Sequence, residues 1–376
     1  MNETAAILGC LAVILAAGLV ERLLRDRAHS GIPIRVHVNG TRGKSTVTRL
    51  VAAALRAHGV PTLARVTGTE ARVVLPDGTE RPVRRLGPAN VREELRFLLQ
   101  ARRLRVRAIV VECMAIRPDL QYAAERDMVV STIGVVTNVR TDHTEVMGES
   151  LPEIAASLAA TVPRGGVLVL GAPDFAGLFR ERAAGLGARV VVAGPPPGAS
   201  ATPWLDENVA TALEVTRLLG VPDDVALRAM SAAPPDPGAF HEHTASVAGR
   251  EVPVLDARAA NDPESFALLC GGSAALREAG RPVLAVFNHR HDRPDRLRRF
   301  APALAALPDA HVLLTGDRPA WSLARASRHA GGAAFRFVPV SRLREAVQAS
   351  GARAIVLCGN TRGLPVAGVV GGSPRG

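Results

Sequence analysis

The apolar and polar positions fall into three patterns along the chain. Residues 5–20, AAILGCLAVILAAGLV, form an unbroken apolar run bounded by Glu3 and by Glu21-Arg22. From Ile34 the rhythm changes. Short apolar runs of strand length (IRVHVNG, PTLARVTG, AIVVEC, MVVSTIGVVTNV, GGVLVLG) alternate with segments of helical spacing (STVTRLVAAALRAHG, LPEIAASLAATV). ARVVLPDGTERPVRRL predicts a hairpin turning at Asp77-Gly78. The third pattern follows two Pro/Gly-rich stretches, 194–203 and 232–240, the second being the better boundary. Beyond it, EVPVLDA, RPVLAVFN, HVLLTG and AIVLCGN read as strands with helices between them. Such alternation predicts an α/β chain of mainly parallel sheets with helices on both faces. The expected organisation is an apolar segment and basic linker over 1–34, a central domain over 35–233, and a smaller Rossmann-like domain over 234–376.

Charge changes the reading of the first segment. A secretory signal carries its positive residues before the apolar run. Here Arg22, Arg25 and Arg27 come after it. The positive-inside rule then keeps the downstream chain cytoplasmic. Sixteen residues fall slightly short of the roughly 20 of a spanning helix. The favoured expectation is a short anchor in the cell membrane with the remaining domains on the cytoplasmic side. The alternative is a buried helix docked on the globular body or on a partner subunit.

Composition excludes other classes. A hydrophobic content of 47% is that of a globular chain, not a disordered one. The net charge of +11 invites a nucleic-acid reading. The arginines are scattered, however, and aromatic residues are only 3%, too few for base-stacking platforms, so no nucleic-acid partner is expected. The cysteines (Cys10, Cys113, Cys270, Cys358) form no CxxC and read as free thiols in a reducing compartment.

Of the 46 Lys and Arg residues only Lys44 is lysine. It sits in GTRGKST, between a predicted strand and a predicted helix, the context of a phosphate loop. Gly40 and Gly43 allow tight turns, and the amides of Thr41 to Thr46 together with the helix N-terminus favour an anion. Ser45 or Thr46 offers a hydroxyl to Mg²⁺. The two glycines stand three apart, closer than in the usual G-x-x-x-x-G-K-[ST]. Lysine's compact charge on a flexible stem suits a cramped loop better than arginine's planar fork. Glu112 closes the strand AIVVE, which places its carboxylate at the carboxyl edge of the sheet. Asn138, Asp142 and His143, in NVRTDH, follow the next strand to the same edge, a candidate Mg²⁺ or acid–base group.

These motifs, in this order and approximate spacing, resemble the Mur ligase superfamily of ATP-dependent amide ligases. VVECMAIRPDLQ, TNVRTDHTEVMG, AANDPES, FNHRHDRPDR, TGDR and CGNTRG more narrowly resemble the ligase subunits of poly-γ-glutamate synthases. The resemblance implies ATP and Mg²⁺ as cofactors. It implies Lys44 and the loop on the phosphates, Ser45 and Glu112 on one Mg²⁺, and His143 with Glu112 on a second. Asn208 falls on the helix that looks like the adenine-contacting one. Asp256 and Asn261 fall in LDARAANDPESF, which resembles the opening of the C-terminal domain. The implied reaction activates a glutamate γ-carboxylate as an acyl phosphate and joins it to the amine of another glutamate. Implied partners are glutamate, the poly-γ-glutamate chain and small membrane subunits. A folylpolyglutamate-type ligase, or a P-loop ATPase without ligase activity, are the alternative readings.

Three departures from the family pattern stand out. No second lysine exists to be carbamylated as a metal bridge. The linker position where relatives have Gly-Arg reads Gly238-Ala239, leaving Arg290 or Arg293 as candidates for the γ-phosphate arginine. Residues 1–34 are too short for a UDP-sugar-binding domain, which argues against a UDP-muramoyl substrate.

Overall fold

The computed structural model describes residues 3–68, 71–83, 93–195, 203–234, 241–258, 260, 262–291, 294–318, 334–360, 364 and 369–370. The chain forms two compact units: Met1–Pro197 with Leu205–Pro234, and Gly198–Trp204 with Pro235–Gly376.

The first unit is built on an eight-stranded sheet: β1 (Ile34–Asn39), β2 (Thr62–Val66), β3 (Arg72–Val74), β4 (Glu80–Pro82), β5 (Ala108–Glu112), β6 (Ile133–Val136), β7 (Val167–Leu170) and β8 (Arg189–Val192). Their order is β4-β3-β2-β5-β1-β6-β7-β8. β2, β5, β1, β6, β7 and β8 run parallel, while β3 and β4 form the antiparallel hairpin at Asp77-Gly78, where Gly78 has φ +86°. The helices are α1 (Glu3–His29), α2 (Lys44–Ala57), α3 (Glu93–Arg103), α4 (Pro118–Ala123), α5 (Thr144–Met147), α6 (Leu151–Leu158), α7 (Ala176–Ala184), α8 (Pro203–Leu218) and α9 (Asp223–Ala232). A π-helical turn, Ala124–Val129, follows α4.

Alternation along β1 separates two environments. Val36 and Val38 are fully buried against Val47, Val51 and Leu55 of α2, with Val110 of β5 beside them. Each valine removed from water in this way contributes roughly 1.5–3 kcal/mol. The opposite face is ionic. His37 Nδ1 pairs with Glu125 Oε2 at 2.7 Å, and Glu125 Oε1 accepts from Ser131 N and Oγ, both at 2.9 Å. On β2, Arg65 pairs with Glu94 of α3 and lies over the Phe97 ring. Burial alone would push the His37 imidazolium pKa down, but the neighbouring Cys113 thiol and the Glu125 carboxylate outweigh it and raise it to about 10. Burial holds the Glu94 carboxyl above the usual range, against the pull of Arg65 and His37.

α1 is the one helix among the described residues long and apolar enough to cross a membrane. Its apolar side chains are open, Ile7 at 68% and Val13 at 69% exposed. Only its end docks. Ala28 is buried with Phe97 and Ala101 of α3, Arg25 donates to Asp127 O, and His29 Nε2 lies 2.8 Å from Met128 O.

The second unit holds β9 (His241–Val247), β10 (Arg250–Asp256), β11 (Val283–His289), β12 (His311–Gly316), β13 (Ala334–Phe337) and β14 (Ala354–Gly359) in the order β13-β12-β11-β14-β10-β9, with only β9 antiparallel. α10 (Pro263–Gly272), α11 (Ala274–Ala279) and α12 (Pro294–Ala305) pack on one face around Phe266, Phe287 and Phe300. α13 (Val340–Ala349) covers the other through Leu343 and Val347.

Candidate active site

In the first unit β1 ends at Asn39, and the chain turns through Gly40 (φ +127°) and Gly43 (φ +76°) before α2 starts at Lys44. A Cβ at Gly40 would collide with Thr137 Oγ1, and one at Gly43 with the Asn208 side-chain amide of α8. Both glycines are therefore required by conformation and by close approach. Gly43 caps α2 without a side-chain hydrogen bond, and the first turn holds no acidic residue. The positive end of the α2 dipole thus meets neither a side-chain cap from Gly43 nor an acidic first-turn residue, a setting that favours an anion. Lys44 Nζ donates to Gly40 O at 2.7 Å, folding the ammonium over the loop.

The loop is lashed to the end of β6. Asn138 Oδ1 accepts from Thr41 Oγ1 at 2.7 Å and from Arg42 N at 2.9 Å, and its Nδ2 donates to Arg42 O at 3.2 Å. Thr41 N donates to Asn138 O at 3.2 Å, and Thr137 Oγ1 donates to Arg42 O. Arg140 N closes the network on Thr41 Oγ1 at 2.9 Å. The Thr41 and Arg42 amides are thus spent within the protein, which concentrates anion binding on the residues from Gly43 onward.

Beside the loop, Ser45 Oγ donates to Glu112 Oε2 at 2.8 Å, and Thr67 N donates to the same oxygen at 2.6 Å. Both side chains are nearly buried, at 9% and 3% exposure. A buried hydroxyl and carboxylate form a hard oxygen pair of the kind Mg²⁺ takes when substrate phosphates complete its shell. Among the described residues no cluster of three or more His, Cys, Asp or Glu exists to hold a metal by itself. The Ser45–Glu112 pair is thus a donor set that fits a Mg²⁺ carried by a nucleotide.

His143 caps α5 in the left-handed region (φ 44°, ψ 46°), a strained conformation for a non-glycine residue. Its Nε2 lies 3.8 Å from Asp142 Oδ2 and its Nδ1 3.4 Å from Glu145 Oε1. Asp142 also faces Arg42, Nη2 to Oδ1, at 3.3 Å. The structure thus gathers Gly40 to Thr46, Glu112, Asn138, Asp142, His143 and Asn208 on the first unit. In the second unit Asp256 closes β10 and binds Arg258 through two contacts of 2.6 and 2.7 Å. Arg290 follows β11 directly. Asn261, Arg293 and Gly238-Ala239 lie outside the described residues. The sequence reading did not single out Thr67, Thr137 or the Arg140–Glu207 ion pair (2.9 Å). Their partners are 45, 95 and 67 positions away, so no local pattern marks them.

Residues 38–213 match the Mur ligase middle domain, and residues 242–367 match the poly-gamma-glutamate synthase CapB C-terminal domain. The backbone superposes on E. coli FolC solved with ADP at a TM-score of 0.69, with 19% identity, covering 91% of this chain and 90% of that one. It superposes on MurF from Acinetobacter baumannii at 0.63, with 15% identity, covering 92% and 77%. Together with the relatives that follow, the domain matches define the class: the chain is an ATP-dependent amide ligase of Mur type. It is 33% identical over 327 residues to PGA synthase CapB of Bacillus subtilis (strain 168), spanning 83% of this chain and 81% of the relative. It is 32% identical over 303 residues to the capsule biosynthesis protein CapB of Bacillus anthracis, spanning 78% and 65%. The chain belongs to the poly-γ-glutamate synthase CapB family.

Proposed function

We propose that this chain forms γ-linked glutamate polymer, using ATP with Mg²⁺ to activate a γ-carboxylate and passing the acyl group to the amine of another glutamate. The observation that carries the reading is the Ser45–Glu112 pair beside a glycine-capped helix bearing the only lysine. A carboxylate is a poor electrophile. Phosphorylation makes it reactive, and that transfer demands positioning and charge neutralisation more than covalent help. Lys44 supplies a mobile positive charge, the amides of α2 fix the phosphates, and Ser45 with Glu112 would hold the metal, which neutralises phosphate charge when bound. His143 and Asp142 stand at the next strand end as further polar groups for the metal-bound nucleotide. Asn208 supports the loop through Gly43, and Asp256 and Arg290 offer polar groups at the strand ends of the second unit. α1 is read as the membrane anchor, with the ligase units on the cytoplasmic side and small membrane subunits as partners.

Hydroxylamine trapping tests the reading. Full-length protein with ATP, Mg²⁺ and glutamate or γ-linked oligoglutamate should yield hydroxamate. ATP hydrolysis with no hydroxamate would leave only an ATPase module. Hydroxamate from a folate but not from glutamate would favour the folylpolyglutamate reading.

A further inference from the structure

The end of α1 that meets the first unit is surrounded by arginine. Arg22 and Arg27 on α1 are exposed, and so are Arg102, Arg103, Arg105 and Arg107 where α3 passes into β5. The two groups are neighbours, because Ala28 of α1 is buried with Phe97 and Ala101 of α3. Of the carboxylates at this end, Asp26 already faces Arg22 and Arg25 at 3.8 and 3.6 Å, and Asp127 is exposed. The patch is therefore positive on balance. It carries apolar side chains as well, with Leu104, between the arginines, 43% exposed and Leu23 54% exposed.

The way α3 stops makes this pattern hard to explain by folding. Val106 N donates to Ala101 O at 3.2 Å and Arg105 N to Arg102 O at 3.0 Å, the paired bonds of a Schellman motif. The left-handed residue of that motif, at φ 53°, is Arg105, where glycine is the unstrained choice. The chain thus keeps a charged side chain at a position whose backbone works against it.

We propose that this arginine surface seats the first unit on anionic lipid headgroups. The proposal rests on the reading of α1 as the anchor, and adds the contact surface and the lipid class. The apolar run of α1 ends at Val20. Ala28 lies about 12 Å further along the helix. The arginine stems cover part of that gap and bring the guanidinium groups within a Debye length, about 8 Å, of the headgroups. Each arginine held near an anionic bilayer strengthens partitioning about fivefold. Guanidinium forks match lipid phosphates, and Leu104 enters the interface beside them. The surface also sets an orientation. Arg107 precedes β5 and Glu112 ends it. The edge that carries the phosphate loop therefore lies about 16 Å further from the bilayer, open to the water side.

Full-length protein in vesicles of phosphatidylcholine, alone or mixed with phosphatidylglycerol, tests the proposal. Flotation reports association, and trypsin reports the surface. Cleavage after Arg102, Arg103 and Arg105 should slow about tenfold on the mixed vesicles, and high salt should restore it. Cleavage after Arg180, exposed near the start of α7 on the far edge of the sheet, should run alike on both. In Arg102→Gln/Arg103→Gln/Arg107→Gln the remaining cut after Arg105 should proceed at one rate on both vesicles. Arg105→Gly should leave only about twofold protection at Arg102 and Arg103. The same variant should raise the melting temperature of the detergent-solubilised chain by about 1–3 °C, because it relieves the left-handed residue. Equal cleavage of the native chain on both vesicles, or a lower melting temperature for Arg105→Gly, would overturn the surface. Protection by soluble γ-linked oligoglutamate but not by phosphatidylglycerol would assign the arginines to the polymer and overturn the lipid. A chain that floats with neither vesicle would sink the anchor reading and the proposal with it, a result distinct from failure of the arginines alone.

Discussion

The carboxyl edges of the two sheets use the same side chain for different ends. In the first unit Asn138 reaches across to a glycine-bounded loop and ties down Thr41 and Arg42. The helix that follows starts at Lys44 from a glycine cap, with no acidic residue in its first turn. In the second unit two asparagines tie strands to each other. Asn288 Nδ2 donates to Asn360 O at 2.6 Å and Asn360 Nδ2 returns to Asn288 O at 3.0 Å, while Arg296 Nη1 donates to Asn360 Oδ1 at 2.8 Å. A Cβ at Gly316 would meet Asn288 Oδ1 and one at Gly359 the Asn288 backbone, so the clasp is tightly enclosed. One edge is stiffened by tying a loop to a neighbouring strand end. The other is stiffened between its own strands. Asparagine at a strand end thus signals rigidity, and the glycines and helix start beside it signal phosphate chemistry.

The sharpest way to break that comparison is Lys44→Arg. The charge is retained, but the guanidinium must fit where a slender ammonium folds over Gly40. We expect kcat to fall about 10³-fold, roughly 4 kcal/mol of transition-state stabilisation, with the melting temperature unchanged. Steady-state ADP release and a thermal melt on the same preparation check it. Wild-type turnover would mean that loop geometry does not select lysine.

Next come the asparagines themselves. Asn138→Ala releases the Thr41–Arg42 backbone, and we expect KM for ATP to rise about tenfold with about 1–2 kcal/mol of lost stability. Asn360→Ala removes one acceptor of the buried Arg296 guanidinium and one donor to the Asn288 carbonyl, while the Gly359 carbonyl and the Asn360 backbone amide stay in place. It should cost about 1–3 kcal/mol of stability and leave KM for ATP where it was. Urea titration and ATP saturation curves on both variants decide. If Asn360→Ala raised KM for ATP as much as Asn138→Ala, the division of labour between the edges would be lost.

How much of this was readable beforehand follows the range of each interaction. GTRGKST, the closing glutamate of AIVVEC and NVRTDH were legible because apolar runs stop at polar residues, and strand ends are where a parallel sheet exposes chemistry. The hairpin at Asp77-Gly78 was equally local, with Thr79 N bonded to Asp77 Oδ1 at 2.9 Å. Three of the four edge strands, β8, β9 and β13, were missed. β8 is only partly covered, and β9 begins with His-Glu-His, so neither shows a clean apolar alternation. The Asn288–Asn360 clasp spans 72 positions and the His37–Glu125 pair 88, and no local periodicity encodes such partners. His37 was invisible as a charge because β1 reads as an apolar strand. Its partner arrives from the π-helical turn on the other face of the sheet.

That pair yields the subtlest test, again set against the second unit. Among the described residues each sheet buries one histidine on a central strand, His37 within β1 and His289 at the end of β11. His37 meets the Cys113 sulfur and the Glu125 carboxylate, which together outweigh burial and raise its pKa to about 10. Burial lowers that of His289, and the Asp317 carbonyl at 3.1 Å from Nδ1 and the Asp317 charge offset it only in part. The two therefore act on stability with opposite signs. A raised folded value favours the charged form, so the His37 contribution is complete below the unfolded value near 6.5 and is lost as pH rises through about 10. A lowered folded value favours the neutral form, so the His289 contribution is present above 6.5 and is lost as pH falls through the folded value. Either slope is bounded at about 1.4 kcal/mol per pH unit, the limit for one proton. Urea unfolding from pH 5 to pH 10 should show His37→Gln flattening the alkaline limb alone and His289→Gln the acid limb alone. Difference curves that run parallel across the whole range would mean that neither ring changes charge between the folded and unfolded chain.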